Sequence, residues 1–298
     1  MLLTVSEEGF ILNREVANFF RKSVIFIFSV VGIFALFLLV FFLVKEAWPA
    51  LVKVGGELFT SVYWYPTADP PEYGMLAMIA GTLLLTAFSS AVLLPLGYLI
   101  AFFLHTYAKD FEKNFIRTTV EFLAGTPSVI IGLFVLLYIA PILLNFDVWS
   151  TENFLLASIG LILTALPYTV SLSLEALDSV DVALEESALA LGATRFTTVF
   201  KVTTRAALPG ILNAFVLTVN RVVGETMIVL MAGGGAAIIP RSFFDPVKPL
   251  TAAIASEIGE VAVGSMHYHV LFAAGVILLV ISLVLTGLSR YISGRQTR

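Results

Sequence analysis

SVIFIFSVVGIFALFLLVFFLV, residues 23–44, is a run of 22 residues that contains no charged side chain. A hydrocarbon core about 30 Å thick is crossed by roughly 20 apolar residues in a helix, so this run is long enough to span a membrane. Continuous runs of this length are typical of helices rather than barrel strands, because a helix satisfies its backbone hydrogen bonds within the segment. We therefore expect a membrane-spanning helix here.

The rest of the chain repeats this pattern. Of its 298 residues, 59% are hydrophobic and only 13% are charged, and the mean hydropathy is +0.98. Soluble domains are roughly half apolar. The sequence predicts an all-α integral membrane protein with six transmembrane helices, at about residues 23–44, 77–104, 119–144, 154–174, 210–232 and 270–289.

The distribution of Lys and Arg predicts the orientation, because these residues are enriched in cytoplasmic segments. With both termini cytoplasmic, four of the 17 basic residues lie outside and Arg221 lies within a span. The other twelve lie inside: Arg14, Arg21, Lys22, Lys109, Lys113, Arg117, Arg195, Lys201, Arg205, Arg290, Arg295 and Arg298. We therefore predict a multi-pass membrane protein, surrounded by membrane lipid, with both termini cytoplasmic.

Several classes of function are excluded or disfavoured by composition. The formal net charge of −4 is spread along the chain, so no basic face for nucleic acid is expected. There is no cysteine, which excludes thiolate metal sites and thiol catalysis. Only three histidines are present and neither a His-Glu-x-x-His nor a Gly-x-Ser-x-Gly motif occurs, so no metal site and no catalytic residue is predicted. An intramembrane enzyme is therefore a weak alternative.

The predicted fifth span contains a charged pair. Arg221 falls near the middle of residues 210–232, and Glu225 follows one helical turn later. Burying Arg in a span costs on the order of 3 kcal/mol even on insertion scales, and such residues usually mark a transport path. On a helical wheel Asn213, Thr218, Asn220 and Gly224 share the arc of the pair.

Two interpretations of the pair remain open. Arg221 and Glu225 could form an i, i+4 salt bridge that only fixes packing. Alternatively, the guanidinium binds an oxyanion through two parallel N–H groups, and Glu225 holds Arg221 when no anion is present. We expect Arg221 and Glu225 to line the pathway, with Asn220 and Ser128 as further lining residues. Ser128 belongs to GTPS, residues 125–128, a candidate break in the third span.

Two long connections are expected to be structured. The cytoplasmic stretch 175–209 combines mixed charge with helically spaced apolar residues, so it predicts short helices with an apolar docking face; lying on the membrane surface is the alternative. The external stretch 233–269 opens with three glycines and then predicts a short amphipathic helix near 250–262. We divide the chain into residues 1–74, comprising an N-terminal cytoplasmic segment, the first span and an external loop, and residues 75–298.

ESALALGATRFTTVFKVTTRAALPGI, residues 186–211, resembles the cytoplasmic coupling loop of ABC importer permeases. The family pattern is Glu-Ala-Ala, three residues, Gly, then an apolar position and Leu-Pro. Glu186, Ala188 and Gly192 match it, with Ser187 in place of one Ala. Thr204 and Arg205 stand where Leu-Pro is expected, so the docking helix is expected to end at the next Leu-Pro, Leu208 and Pro209. The resemblance implies that the ATPase-coupling loop includes Glu186, Ala188, Leu191, Gly192 and Arg195.

Further motifs narrow the resemblance to PstC-type permease subunits of phosphate importers. They occur in that family's order from about residue 75 onward: LAGTPS (123–128), LALGATR (189–195), GETMIVLMAGG (224–234), AIIPRSFFDP (237–246) and LTAAIASE (250–257). The resemblance implies the type I ABC importer permease fold and a charged pair at Arg221 and Glu225. It also implies a heterodimer with a PstA-type permease subunit, two ATPase subunits and an extracytoplasmic phosphate-binding protein. The location it implies is the bacterial cytoplasmic (inner) membrane.

The expected function is thus that of a non-enzymatic permease subunit forming half of a path for inorganic phosphate into the cytoplasm. No Gly-Lys-Ser or Gly-Lys-Thr phosphate loop occurs, so ATP and Mg²⁺ are expected on the partner ATPase subunits and no cofactor on this chain. A permease for molybdate, tungstate or sulfate is the alternative within the class. A passive anion channel or secondary transporter is disfavoured by the coupling-loop resemblance.

Overall fold

The computed structural model describes residues 4–146, 148 and 150–296, with the side chains of 21–109, 111–145, 148, 150–288, 290 and 291. Arg298 and the side chains of Arg14 and Arg295, used above for orientation, lie outside this part. The first helix, α1, spans Thr4–Lys53 and contains the predicted span. Its apolar stretch is exposed on the protein surface, as expected for a helix that faces lipid.

The segment after α1 forms a small outer layer. A short helix α2 (Glu57–Thr60) leads into strands β1 (Trp64–Tyr65) and β2 (Glu72–Tyr73), which pair antiparallel with Trp64 opposite Tyr73. These two short strands are the sheet structure in the described part of the chain, whose other regular elements are helices. Leu58 and Met75 are completely buried, so this layer is packed onto the helices rather than extended into solvent.

Helices α3 (Leu76–Thr106) and α7 (Phe154–Asp178) pack closely against each other and form the centre of the bundle. Their contact depends on a small residue. A Cβ atom placed on Gly97 would lie 2.6 Å from the Cγ2 atom of Thr169. Membrane helices approach closely through such small residues, because lipid provides no hydrophobic drive for helix association.

The predicted third span, 119–144, is bent, and the bend lies at GTPS, residues 125–128, where the sequence predicted a break. Two helical segments meet there at an angle of 99°. Thr126 is extended and Pro127 lacks a backbone N–H, so the helix cannot continue through this dipeptide. The segments are α4 (Asp110–Gly125), α5 (Ser128–Phe134), a π-helical turn (Val135–Ile139), α6 (Ala140–Leu143) and a 3₁₀ turn (Leu144–Phe146).

The predicted bounds of the fifth span, 210–232, are wrong. A short helix α8 (Val182–Ala190) lies after α7, and the next long helix begins at Arg195. It passes through Pro209, because packed membrane helices tolerate a proline whose freed groups find other partners. It ends at Val223, so the connection expected over 175–209 is shorter. Its parts are α9 (Arg195–Thr198), a π-helical turn (Val199–Thr203) and α10 (Thr204–Val223).

Beyond a break at residues 224–226, α11 (Met227–Ala232) packs against α5 and α7. Ile228 is completely buried there. The predicted external helix near 250–262 is confirmed as α12 (Leu250–Glu257), although it ends earlier than expected. The last helix, α13 (Met266–Gln296), packs against α1 and α10.

Within the described residues, five helices are long and apolar enough to cross a membrane, and the bent segment around Pro127 makes six if it counts as one span. The predicted number of spans is therefore confirmed with that bent segment included. One buried cluster lies between α3, α5, α7 and α11, and a second joins the ends of α1, α12 and α13.

Candidate functional site

Arg221 lies in the last turn of α10, not at the midpoint of a longer helix as predicted. Its side chain is exposed, and its Cζ atom lies 5.7 Å from the centre of the Tyr168 ring on α7. That distance is within the range of a cation–π contact. Cations near a helix C-terminus are also favoured by the helix dipole. Arg221 is therefore held in position by an aromatic face and a helix end while its N–H groups remain accessible.

Glu225 lies beyond the end of α10, so the predicted i, i+4 arrangement with Arg221 is wrong. The backbone N–H of Gly224 donates to the Asn220 carbonyl, and that of Glu225 to the Val222 carbonyl, which closes the helix one turn early. The ion pairs found among the described side chains do not include Arg221 with Glu225. Glu225 is half-buried, and its carbonyl accepts a 3.0 Å hydrogen bond from the Thr251 hydroxyl on α12.

Asn220 and Ser128 lie in different environments. The side-chain amide of Asn220 donates to the Thr286 hydroxyl on α13 at 3.0 Å, while its Oδ1 atom is buried without a partner among the described residues. Ser128 is the first residue of α5 and is half-buried. No hydrogen bond recorded in the described part of the chain joins Ser128 to Arg221, Asn220 or Glu225. Their roles in a pathway stay predictions.

Sequence reasoning missed Tyr168 and Thr251. Both contact the region of the charged pair, but they lie on other helices and far from it in the sequence. Local spacing carries no information about such contacts. The available signal was weak: Tyr168 is the tyrosine of the predicted fourth span and directly follows Pro167.

The helix α8 lies where the resemblance places the coupling loop, and its ends are well defined. The side chain of Asp181 accepts a 2.9 Å hydrogen bond from the N–H of Ala183 and caps the start. At the other end Gly192 has a φ of +85°. The N–H of Gly192 donates to Leu189, and that of Ala193 to Ala188. This is the Schellman pattern with glycine at the left-handed position.

The surface of α8 and the following turn is strongly exposed. No residue of α8 is buried, and Leu191 at its end is 90% exposed. Glu186 and Arg195 are exposed, and Ala188 is half-buried. Other exposed apolar side chains extend this surface: Val182, Leu184, Leu189, Phe196 and Phe200. Since a contiguous apolar surface of this kind usually marks an interaction site, the geometry fits docking of another protein.

A second polar cluster, which the sequence did not predict, lies behind α8. The Nε2 atom of His105 is 2.9 Å from Oε1 of Glu185, and its Nδ1 atom is 2.7 Å from Oδ1 of Asp178. The Thr203 hydroxyl donates to the same Glu185 oxygen at 2.7 Å. Burial raises the pKa of Glu185, but the hydrogen bonds from Thr203 and His105 and the charge of His105 outweigh it, so that pKa is lowered overall.

At the end of α12, Glu257 joins three elements. Its Oε1 atom accepts a 3.1 Å hydrogen bond from the Trp64 indole of β1 and also contacts the Lys248 ammonium. Its Oε2 atom lies 2.7 Å from Nε2 of His267 on α13. These contacts fix the outer ribbon against the helices. Beside it lies a groove lined by Tyr63, Tyr65, Ile238, Ile239 and Arg241, among other residues.

Comparison with known proteins gives concordant results. The family model described as "Binding-protein-dependent transport system inner membrane component" matches residues 93–298. The chain is 36% identical over 241 residues to the probable ABC transporter permease protein YqgH of Bacillus subtilis, covering 80% of this chain and 78% of that protein. It is 34% identical over 269 residues to the phosphate transport system permease protein PstC of Mesorhizobium japonicum, covering 82% and 80%.

The fold is also similar to that of solved transporters. The structure matches a chain of the bacterial alginate ABC transporter, which was solved in complex with an alginate pentasaccharide-bound periplasmic protein. The TM-score is 0.67 at 16% identity, covering 93% of this chain and 96% of that chain. This confirms the predicted type I ABC importer permease fold. Together with the family match over more than half of the sequence, it shows that the chain belongs to the binding-protein-dependent transport system inner membrane component family.

Proposed function

We propose that this protein is the transmembrane permease subunit of an ATP-driven importer and forms half of the path by which inorganic phosphate enters the cytoplasm. The observation that carries the proposal is the accessible guanidinium of Arg221 at the end of α10, paired with no carboxylate among the described residues. A planar guanidinium binds oxyanions through two parallel N–H groups. Relatives named as phosphate permeases support phosphate as the anion.

The role of Glu225 follows from its position at the break after α10. It is half-buried, and it follows the end of α10, whose last turn carries Arg221. We propose that Glu225 limits how long the anion stays, while the Tyr168 ring holds Arg221 in the absence of the anion. Asn220 and Ser128 are proposed to line the same path.

The partners are proposed on chemical grounds. The exposed apolar surface of α8 and Leu191 suits an ATPase subunit, which binds ATP and Mg²⁺ and supplies the energy. The outer groove beside Tyr63 and Tyr65 suits an extracytoplasmic phosphate-binding protein. A PstA-type permease subunit completes the path, and a second ATPase subunit docks on it. With α8 cytoplasmic, both termini are cytoplasmic as well.

The test uses the assembled complex in liposomes with its phosphate-binding protein. Replacing Arg221 by Ala should lower ATP-dependent phosphate uptake by about tenfold or more, because a hydrogen bond to a charged group contributes about 1.5–3 kcal/mol. Arg221→Lys keeps the charge without the two parallel N–H donors, so its uptake rate should lie between those of the wild type and Arg221→Ala. Arg205→Ala is the matched control, since Arg205 is an exposed arginine at the other end of the same helix.

Two results would overturn the proposal. Uptake that survives Arg221→Ala would show that the guanidinium does not contact the anion. Stimulation of ATP hydrolysis by sulfate or molybdate, but not by phosphate, would favour the alternative substrate class over phosphate.

A further inference from the structure

The imidazole of His105 joins α8 to the cytoplasmic ends of two membrane helices. His105 lies in the last turn of α3, and Asp178 is the last residue of α7. Both ring nitrogens are within 2.9 Å of a carboxylate oxygen, one from Asp178 and one from Glu185 of α8. The His105 side chain is 13% exposed, so water replaces these contacts poorly.

This geometry specifies the protonation state of the ring. An ionised carboxylate only accepts hydrogen bonds, so each ring nitrogen must donate. Both nitrogens donate only in the imidazolium form. A neutral imidazole would turn one lone pair toward a carboxylate, and the negative charges of Asp178 and Glu185 would then lie on either side of an uncharged ring.

Other charged groups around the cluster support this assignment. The Nζ atom of Lys113 on α4 lies 3.8 Å from the second oxygen of Asp178. Asp178 therefore lies between two cations, and the lowered pKa of Glu185 keeps that group ionised near neutral pH. Further charged groups line the adjoining cavities: Arg117 and Glu121 of α4, Glu175 of α7 and Arg195 of α9.

The bridge is important for α8 because the helix has few other attachments. None of its nine residues is buried. Among the described contacts, the α8 side chain that hydrogen-bonds to the membrane helices is that of Glu185. It contacts His105 of α3 and Thr203 of the π-helical turn before α10. Glu185 is therefore the side chain through which a movement of α8 can be passed to α3 and to the start of α10.

We propose that protonated His105 is a positioning residue for energy coupling: it links the ATPase-docking helix α8 to α3 and α7, and the link weakens as His105 loses its proton. This rests on the proposed function of the chain as an ATP-driven permease. Wild-type protein then couples ATP hydrolysis to transport less efficiently at a pH where the imidazole is neutral than at one where it is protonated. Hydrolysis itself continues, because the ATP sites are on other subunits.

Three variants test the proposal in the complete reconstituted complex. In Glu185→Gln the new amide can donate to a neutral imidazole, so both contacts survive without the proton. His105→Arg keeps a permanent charge with several donors. His105→Leu removes the bridge at every pH. The quantity measured is phosphate transported per ATP hydrolysed, from about pH 6 to about pH 9, on either side of the usual histidine range.

The ratio in wild-type protein should fall on the order of tenfold across this range, as expected for losing one hydrogen bond to a charged group. It should stay nearly constant in Glu185→Gln and low throughout in His105→Leu. If His105→Arg does not fit the site, Glu185→Gln still decides. Identical pH profiles for the wild type and Glu185→Gln, or normal coupling in His105→Leu, would overturn the proposal.

A second measurement does not depend on the identity of the anion. The chain has no cysteine, so a nitroxide can be attached at Ala190→Cys on the exposed end of α8. Its mobility should rise with pH in otherwise wild-type complex and not in Glu185→Gln. A titration of mobility without phosphate transport would reject the proposed function and leave the bridge intact. Normal phosphate transport with no such titration would reject the bridge alone.

Discussion

At the scale of single residues, Gly192 shows how one backbone angle defines a docking surface. Its φ of +85° ends α8, and a Cβ atom there would meet nothing within 4 Å. Gly192→Ala therefore tests the backbone angle alone, without a packing clash. The left-handed conformation costs a residue other than glycine about 1–2 kcal/mol. Amide hydrogen exchange at the end of α8 should therefore accelerate about tenfold, and recovery of the ATPase with the permease should decrease.

Gly259→Ala is the matched control for this prediction. Gly259 also has open space around it, but its φ does not lie in the left-handed region. In Gly259→Ala, amide hydrogen exchange at the end of α8 and recovery of the ATPase with the permease should match the wild type. Equal exchange in Gly192→Ala and Gly259→Ala would show that the left-handed turn does not hold the end of α8.

The sequence predicted the types of the pathway residues better than their contacts. A guanidinium in an apolar segment is conspicuous because it is costly, so Arg221 could be found from the sequence alone. Its contact with Tyr168 could not, because it joins α10 to α7. The cluster around His105 was missed for the same reason, since its members come from α3, α7, α8 and the turn before α10.

At the scale of elements, the short helix α11 packs closely against α7 because α7 has a glycine, Gly160, at the contact. A Cβ atom on Gly160 would lie 2.5 Å from the Cγ2 atom of Ile228. Gly160→Ala should therefore lower the free energy of unfolding by about 1–3 kcal/mol through overpacking. Ile228→Ala should lower it by about 2–5 kcal/mol by leaving a cavity. Thermal unfolding in detergent would measure both.

The double variant separates this contact from general damage. With both changes, the new methyl group occupies the space that Ile228 vacates, so the loss should be smaller than the sum of the two single losses. Strict additivity would mean that Gly160 and Ile228 do not determine how α11 packs.

Errors in the predicted elements came from residues whose effect depends on their neighbours. The break at Pro127 was predicted from the sequence, because Pro and the residue before it cannot continue a helix, but its angle of 99° was not. Pro209 did not break one, because it lies within a packed helix. The break after Val223 begins at Gly224, and a glycine could equally lie inside a helix. Hydropathy locates apolar segments, but packing decides where each helix ends.

At the scale of the whole molecule, the predicted direction of insertion into the membrane can be tested by labelling. The cysteine-free chain allows single introduced cysteines to report their side of the membrane. Asn114 on α4 and Ala262 beyond α12 are both exposed. The excess of basic residues predicts that Ala262→Cys reacts with an impermeant thiol reagent in intact cells, whereas Asn114→Cys reacts only after permeabilisation.

The cysteine-free parent protein gives the background for this labelling. Labelling of Asn114→Cys but not Ala262→Cys in intact cells would reverse the orientation. It would also place α8 on the side away from any cytoplasmic ATPase, which would contradict the proposed energy source.

The exposed position of α1 has a consequence for how the protein is made. Its outer end is anchored through Ala47 and Ala50 to residues of α13, which is the last helix of the chain. During synthesis α1 therefore cannot make this contact until the segments between it and α13 have been made. A helix that waits this way needs lipid compatibility of its own, and α1 is accordingly the most apolar of the spanning helices. The apolar composition of α1 therefore suits it to lipid both before and after it packs against α13.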